Sequence, residues 1–368
     1  MRQTPGVWMK LGWLTVVASI LAGAMLFFTP SVTEAQEDAH ASILLYHHVS
    51  DSTPRVTSVT ADELREHLTY LKDNDFTVID IRDAIAAAQG RKEIPEKSVV
   101  ITFDDAYQNI YTNGWPILKE FDVPWTLFVT TDPIGQTPGQ YMSWDQIRDL
   151  HNDGVVIANH SLDHAHLPRR ADFANEQAWL QRMRENILDA EAKIKEEVGV
   201  SYKLFAYPYG EYDAVLADLV AELGFIGFGQ HSGGFSQHSD FRAIPRFAAA
   251  GMYANLGTLG TKMAALGMPV LETHIEDTLL DHEDTRPILK LKLDTSDFHR
   301  NQLNCFIRSH PHAPQWHDEQ TFSVQADEPI GIGRQRYNCT VPSISRPGRF
   351  YWYSVQWIRP DQQGSWPD

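Results

Sequence analysis

Short apolar runs alternate with amphipathic stretches over most of the chain, from residue 41 to about residue 247. The apolar runs predict strands at Ser42–Tyr46, Phe76–Ile79, Ser98–Thr102, Trp125–Val129, Val155–Ala158, Lys203–Tyr207 and Phe225–Gly229. The stretches between them predict helices at Thr60–Asn74, Asn113–Glu120, Ser143–Gly154, Asn175–Glu197 and Asp213–Leu223. Strands that alternate with helices at this spacing predict a parallel sheet. Because six or seven such units exceed what an open sheet needs, we predict an incomplete (β/α) barrel over residues 41–250.

The pattern changes after residue 287. The segments ILKLKLD, QTFSVQA and RFYWYSVQWIRP are short, alternating or aromatic-rich, and no helical stretch separates them. They predict a small all-β, sandwich-like module over residues 287–368, with residues 251–286 as barrel end and linker. Trp316, Trp352 and Trp357 either form the core of this module or stack on sugars, and a small sandwich favours the core.

The first 40 residues have the order of a secretory leader. Arg2 and Lys10 precede the uncharged apolar stretch Leu11–Phe28, and small and polar residues follow, with Thr33–Ala35 as a cleavage site. The apolar stretch is also long enough to span a bilayer, so an uncleaved anchor with inner-membrane association is the alternative. Either interpretation predicts a periplasmic or secreted protein.

Cysteine usage and charge narrow the picture further. The chain has 368 residues and only two cysteines. In an oxidising compartment, Cys305 and Cys339 predict one disulfide between strands of the β module, and two free buried thiols are the alternative. A hydrophobic fraction of 43% predicts a folded protein, and a net charge of −17 argues against a nucleic-acid partner.

Two adjacent carboxylates come directly after the predicted strand that starts at Ser98. Asp104 and Asp105 follow the run SVVITF, at the expected carboxyl end of a parallel strand. Neighbours on a strand point to opposite faces, but a bend at the strand end allows both to face one cavity. Alone, such a pair is more typical of a turn or a helix cap.

A second polar cluster follows the strand Val155–Ala158. His160 and His164 are four residues apart, and on one side of a helical turn they could bind one metal ion. A carboxylate from a neighbouring strand end would complete three protein ligands, which is the pattern of a catalytic metal site. A polar loop is the alternative, although the aspartate pair at an equivalent strand end makes it less favoured.

A third strand ends in the segment YPYGE. Pro208 lacks a backbone donor and Gly210 permits an unusual turn, so the N–H of Tyr209 could point into the cavity and stabilise an oxyanion. A tight strand-to-helix turn with aromatic packing is an equally good interpretation.

In this order and spacing, TFDD, HSLDH and YPYGE resemble the polysaccharide deacetylases of carbohydrate esterase family four. The segment YHHV at residues 46–49 is similar to the branch that deacetylates the exopolysaccharide poly-N-acetylglucosamine. The resemblance covers roughly residues 42–247 and none of the C-terminal module. It implies a hydrolase with the family's incomplete barrel that removes N-acetyl groups from a β-linked N-acetylglucosamine polysaccharide and releases acetate.

The resemblance also implies roles for particular residues. Asp104 would be the general base, and Asp105, His160 and His164 would bind a divalent metal ion, most often zinc in this family. The N–H of Tyr209 would stabilise the oxyanion. Tyr207, Pro208 and Arg246 are the residues expected to line the substrate site.

Two departures from the family pattern matter. Ala206 stands where the family has the arginine that steadies the base, and Arg246 or Arg242 is the expected replacement. The late Leu-x-His motif is missing, but Leu45–His47 supplies one at the first strand, as in a circularly permuted branch. His47 is therefore the predicted general acid, and His231 is the alternative.

Other functions remain open from the sequence. Peptidoglycan or chitin oligomers are rival substrates. A carbohydrate-binding protein that has lost turnover would also fit the missing arginine, although the complete set of metal ligands opposes it.

Overall fold

Three large sheets, one two-stranded sheet and seven α-helices organise the part of the chain that the computed structural model describes, which is residues 38–137 and 139–367. The main strands and short bridging strands are β1 (Ala41–Tyr46), β2 (His48–Val49), β3 (Ser58–Val59), β4 (Thr77–Val78), β5 (Ser98–Asp104), β6 (Thr126–Val129), β7 (Val156–Asn159), β8 (Leu204–Ala206), β9 (Ile226–Phe228), β10 (Phe247–Ala248), β11 (Leu266–Gly267), β12 (Val270–Thr273), β13 (Ile288–Leu293), β14 (Asn304–Ile307), β15 (His310–His312), β16 (Gln315–Trp316), β17 (Thr321–Gln325), β18 (Gly333–Pro342) and β19 (Phe350–Arg359). The helices are α1 (Ala61–Asp73), α2 (Ile81–Ala88), α3 (Trp115–Glu120), α4 (Trp144–Asn152), α5 (Glu176–Val198), α6 (Ala214–Glu222) and α7 (Leu256–Met263). Strands β2 and β3 form a separate parallel pair.

The largest sheet is parallel and has the order β10-β1-β5-β6-β7-β8-β9, with β4 beside the start of β5. Its two ends approach each other, because Phe228 at the end of β9 forms a parallel bridge with Ile244, just ahead of β10. The helices α2 to α6 follow strands β4 to β8 in turn, and the predicted incomplete (β/α) barrel is confirmed.

Local signals explain where the helices begin and end. Thr60 accepts a hydrogen bond from the backbone N–H of Glu63, whose carboxylate accepts one from the N–H of Thr60, so α1 starts at a capping box. Gly199 ends α5 with a φ of 80°, a conformation that glycine adopts without steric cost.

The C-terminal residues form two antiparallel-dominated sheets with a shared apolar core. One sheet has the order β11-β19-β18-β14-β15, and the other has the order β12-β13-β17-β16. The module predicted from residue 287 is therefore all-β, as expected. The segment predicted as barrel end and linker, residues 251–286, contains α7 and also supplies β11 and β12 to these sheets. Trp357 is buried in the shared core, and Trp316 packs on Phe322.

The predicted disulfide is present between Cys305 and Cys339. The two residues face each other on the neighbouring strands β14 and β18. Replacing both with alanine should lower the free energy of unfolding by roughly 3 to 4 kcal/mol, because the bond closes a loop of 34 residues in the unfolded chain. Thermal unfolding with and without reductant checks this: reductant should destabilise the wild type and leave the variant unchanged. A wild type that does not respond to reduction would contradict it.

Residues 1–37, which make up most of the predicted leader, lie outside the described part of the chain. In the part of the chain that is described, no helix is both long and apolar enough to cross a membrane.

Candidate active site

The carboxyl ends of neighbouring strands bring the predicted site residues to one edge of the parallel sheet. Asp104 ends β5, His160 follows the last residue of β7, and Ala206 ends β8. His47 follows β1, whose last residue is in register with Phe103. Because these strands pair side by side, residues that are far apart in sequence meet at this edge.

A left-handed turn directs both adjacent aspartates to the same place. Strand β5 stays extended through Asp104, and then Asp105 and Ala106 adopt φ angles of 74° and 59°. These angles interrupt the alternation of a strand, and both carboxylates lie within 4 Å of Nε2 of His160, at 3.8 Å for Asp104 and 3.3 Å for Asp105. Positive φ at non-glycine residues is costly and is often found at functional sites.

The two histidines converge on Asp105. Its Oδ1 lies 3.3 Å from Nε2 of His160 and 3.3 Å from Nε2 of His164, and one donor atom from each of the three residues falls within a span of 4.8 Å. The expected helical turn was wrong, because residues 160–166, which carry both histidines, contain no helix. Ser161 and His164 instead have φ angles of 73° and 55°, and Oγ of Ser161 accepts a hydrogen bond from the N–H of His164.

This set of donors fits a divalent metal ion. Nδ1 of His160 donates to the backbone carbonyl of Ala206 at 2.8 Å, which leaves the lone pair of Nε2 facing Asp105. Among the described residues, neither this Nε2 nor Oδ1 of Asp105 has a hydrogen-bond partner of acceptable geometry, although both atoms are buried. Two imidazoles and one carboxylate with an open side are the ligands of a catalytic zinc-type site.

Of the two arginines expected to replace the family arginine, Arg246 is the one that pairs with Asp104. It is fully buried and binds both oxygens of Asp104, at 2.8 Å through Nη1 and 2.9 Å through Nη2. Its Nε donates to the carbonyl of Gly229, which fixes the plane of the guanidinium. The prediction that Arg246 contacts substrate is therefore wrong, since both its faces are enclosed. The other suggestion for Arg246, that it replaces the arginine that the family has at the position of Ala206, agrees with this location.

The same contacts control the charge of Asp104. Burial raises the pKa of this carboxyl, but the guanidinium of Arg246 and the imidazole of His160 outweigh it, so the pKa lies below its ordinary value. For Asp105 the two histidines likewise outweigh burial and lower the pKa. Burial lowers the pKa of His164 to about 4. Asp104 and Asp105 are thus carboxylates, and His164 is a neutral imidazole, at neutral pH.

Replacing Arg246 with methionine should cost about 3 to 5 kcal/mol of stability, because Asp104 would be left as an unpaired buried charge. The folded-state pKa of Asp104 is lowered, so the stability it contributes is present above its ordinary pKa and is lost as the pH falls. The deficit of the variant should therefore be largest at neutral pH and shrink in acid. Denaturant unfolding at several pH values measures it.

Arg242→Met is the matched control, since the ion pairs of Arg242 with Asp218 and Asp240 lie at the surface. Equal losses for the two arginine variants would show that the buried pair has no special weight.

The residues of the third motif separate into core and site. Tyr207 is fully buried, and its hydroxyl donates to the carbonyl of Arg242 at 2.7 Å. Its predicted contact with substrate is therefore wrong. Pro208 is buried as well, as the first residue of a short 3-10 turn, so its ring also does not line an open cleft. Tyr209 has a φ of 58°, and its ring lies 4.5 Å from the ring of His164, so it borders the ligand set.

The two candidate general acids occupy different places. His47 is partly exposed at the edge of the site. It lies near enough to Asp104 and Asp105 to act on their carboxylates: burial raises the pKa of both, and His47 is among the neighbours that lower it. His231 instead lines a separate cavity with Trp352 and Tyr353, between the parallel sheet and the C-terminal strands. Burial there lowers the pKa of His231 to about 4. The position of His47 is the one that suits proton transfer at this site.

Four further residues meet beside the site, and only His166 among them was interpreted from the sequence, as structural or substrate-lining. Glu211 and His166 form a buried pair, with Nδ1 of His166 2.7 Å from Oε2 of Glu211. Trp366 and Arg334 reach the same carboxylate from the C-terminal region. Glu211 stands inside the YPYGE motif, but Trp366 and Arg334 lie more than 100 residues away along the chain, so no local pattern indicates them.

Residues 91–227 match the model of the family described as polysaccharide deacetylase. This segment of the chain is similar to the polysaccharide deacetylases. The family resemblance is therefore confirmed. Asp104, Asp105, His160, His164 and Tyr209 lie inside the matched segment of this deacetylase domain. His47 and Arg246 come from outside that segment and complete the same edge of the sheet.

A curated relative supports the same assignment. Over 244 residues the chain is 26% identical to the poly-beta-1,6-N-acetyl-D-glucosamine N-deacetylase of Escherichia coli, and the match covers 56% of this chain and 36% of the relative. The chain thus spans only about a third of the length of that relative.

Solved structures share the fold of the deacetylase domain. The Streptococcus pyogenes deacetylase PplD, in complex with acetate, has a TM-score of 0.55 at 21% identity, over 61% of this chain and 99% of that one. IcaB from Ammonifex degensii has a TM-score of 0.53 at 24% identity, over 61% of this chain and 97% of that one.

Proposed function

We propose that this protein removes N-acetyl groups from a β-linked N-acetylglucosamine exopolysaccharide, in a metal-dependent hydrolysis that releases acetate. The observation that carries the proposal is the buried Arg246–Asp104 pair beside the convergent ligands Asp105, His160 and His164. A base and a metal site at one strand edge are what amide hydrolysis needs. The name of the Escherichia coli relative supports the choice of substrate.

Asp105, His160 and His164 would hold the cation, and zinc suits two imidazoles and one carboxylate best. A divalent cation bound there supplies Lewis-acid chemistry for the amide carbonyl and lowers the pKa of a water molecule. Asp104 takes the proton of the attacking water, and Arg246 keeps its carboxylate ionised and in a fixed plane.

Hydrolysis requires that the water oxygen bonds to the amide carbon, that the carbon–nitrogen bond breaks, and that the leaving nitrogen gains a proton. His47 is the proposed donor of that proton, because it stands at the site edge beside Asp104 and Asp105. The backbone N–H of Tyr209 is the proposed partner of the tetrahedral oxyanion. The products are acetate and a free amine on the sugar.

The pattern of the first 40 residues and the disulfide support a periplasmic or secreted location, with an N-terminal anchor as a further possibility for the leader. Peptidoglycan and chitin oligomers are the rival substrates. The intact pair of Arg246 and Asp104 argues against a purely carbohydrate-binding protein, because such a protein has no need for a buried, oriented base.

Acetate release from a panel of poly-β-1,6-N-acetylglucosamine, chitin oligomers and peptidoglycan tests the proposed substrate. The zinc-loaded protein should act fastest on the first of these. Faster turnover of either rival would reassign the substrate and keep the chemistry, whereas no release from any of them would refute the enzyme assignment.

A further inference from the structure

The loop Pro208–Tyr212 is held from outside the deacetylase domain. Nε2 of Gln356 on β19 donates to the carbonyl of Gly210 at 3.2 Å. Oγ1 of Thr278 donates to the carbonyl of Tyr212 at 2.6 Å. Both donors follow residue 250 in the chain, so the backbone of the loop that carries Tyr209 depends on the C-terminal part of the protein.

The strongest of these contacts converge on one buried carboxylate. Glu211 has no exposed surface, and its Oε1 accepts a hydrogen bond from Nε1 of Trp366 at 2.7 Å. Nη1 of Arg334 lies 3.4 Å from the same oxygen. A buried carboxylate is stable only when donors satisfy it, and two of those donors come from the C-terminal module.

The other oxygen of Glu211 connects to the site. Oε2 accepts from Nδ1 of His166 at 2.7 Å, and the ring of His166 stacks on the ring of Tyr209 with centroids 4.0 Å apart and planes 5° apart. Arg334 also lies over the Tyr209 ring, with Cζ 5.5 Å from its centroid. The half-buried Tyr209 ring therefore contacts two groups, His166 and Arg334, that are both paired with Glu211.

These contacts oppose a conformational cost. Tyr209 has a φ of 58°, in the left-handed region that a residue with a Cβ seldom adopts. The next residue, Gly210, has a φ of 67°, and a Cβ there would lie 2.6 Å from the backbone nitrogen of Gln230. The backbone of Gly210 thus packs directly against Gln230, and the contacts made through Glu211 add support to this turn.

We propose that the C-terminal module is part of the catalytic site, and that Glu211, held by Trp366 and Arg334, is a positioning residue for the loop that carries Tyr209. The role of Tyr209 in catalysis rests on the proposed function. The mechanical part of the proposal does not, because it concerns only what holds residues 208–212.

The indole of Trp366 is itself fixed in place. The guanidinium of Arg169 lies over its ring, with Cζ 4.9 Å from the centroid, and also donates to its backbone carbonyl. Trp366→Phe would remove the Nε1 donor and keep an aromatic ring for Arg169, and Glu211→Gln would remove the charge and keep the size. Trp316→Phe is the matched control, because Trp316 lies in the same module and packs on Phe322.

Hydrogen exchange of the amides of residues 209–212, measured on the full chain, tests the mechanical part without reference to activity. Exchange should rise about tenfold or more in Trp366→Phe and in Glu211→Gln, and should match the wild type in Trp316→Phe. Unchanged exchange in both loop variants would overturn the proposal, whether or not the wild type is a deacetylase.

Steady-state acetate release tests the catalytic part. With metal content unchanged, kcat should fall about tenfold in both loop variants while KM changes little, because the oxyanion partner acts in the transition state. A lower melting temperature with an unchanged kcat would show a merely structural role and overturn this part. An inactive wild type would instead refute the proposed function, and the exchange data would still decide the role of the C-terminal module.

Discussion

Asp104→Asn is expected to keep the metal site and stop turnover. Asparagine preserves the size of the side chain, but it cannot take a proton from water, and general-base catalysis contributes about 10² to 10⁴ in rate. Asp105, His160 and His164, which provide the ligand atoms within 4.8 Å of one another, are unchanged in this variant. Acetate release together with the zinc content of the purified protein measures both effects.

The loss of charge also removes half of a buried ion pair with Arg246, so thermal unfolding of Asp104→Asn should be measured alongside activity. Asp163→Asn is a suitable control. This residue stands inside the HSLDH motif, but its carboxylate contacts Arg182 and Asn186 and not the metal ligands. The control should keep most of its turnover, and an equal loss in both variants would argue against a specific base.

Asp105→Ala is expected to lose the metal ion. Asp105 supplies the carboxylate of the three-residue set, and its Oδ1 is the atom that both histidines face at 3.3 Å. Loss of a supporting residue around a metal already costs about 10 to 100-fold in affinity, so loss of a ligand should cost at least about 100-fold. Zinc titration by calorimetry, with metal analysis after dialysis, measures the change.

The comparison with His166→Gln makes this prediction specific. His166 lies near the ligand set, but its Nδ1 pairs with Glu211, so this variant should retain zinc. If Asp105→Ala kept its zinc, the ligand assignment would be wrong. If Asp104→Asn and Asp105→Ala both lost zinc, the division into a base and a ligand would be wrong.

The sequence was informative where local pattern decides structure. Strand β5 and helix α5 were predicted within a few residues because an apolar run, a cap and a terminal glycine each act on near neighbours. The helix α2 at Ile81–Ala88 was not predicted. It is only eight residues long, and its alanine-rich sequence gives a weak polar face.

Several features of the site depended on backbone angles that no periodicity reveals. The convergence of His160 and His164 comes from left-handed residues and not from a helical turn. The enclosure of Tyr207 comes from its hydrogen bond to residue 242. Both corrections follow from tertiary packing, which the pattern of polar and apolar positions does not encode.

Long-range partners were the hardest to predict. Arg246 was a candidate because Ala206 stands where an arginine was expected, and the base aspartate still needs a cationic partner from elsewhere in the chain. Nothing comparable pointed to Trp366, which meets Glu211 across 155 residues of chain. A buried carboxylate requires partners, but the sequence alone does not say which residues supply them.

The most direct test of the proposed function is to count the acetate molecules released and the free amines formed when the protein acts on N-acetylglucosamine oligomers, with and without zinc. We predict equal amounts of acetate and amine from the zinc-loaded wild type, and none after chelation or in zinc-loaded Asp104→Asn. Release that is independent of metal, or that persists in Asp104→Asn at the wild-type rate, would contradict the central claim that a metal site and a clamped aspartate base act together.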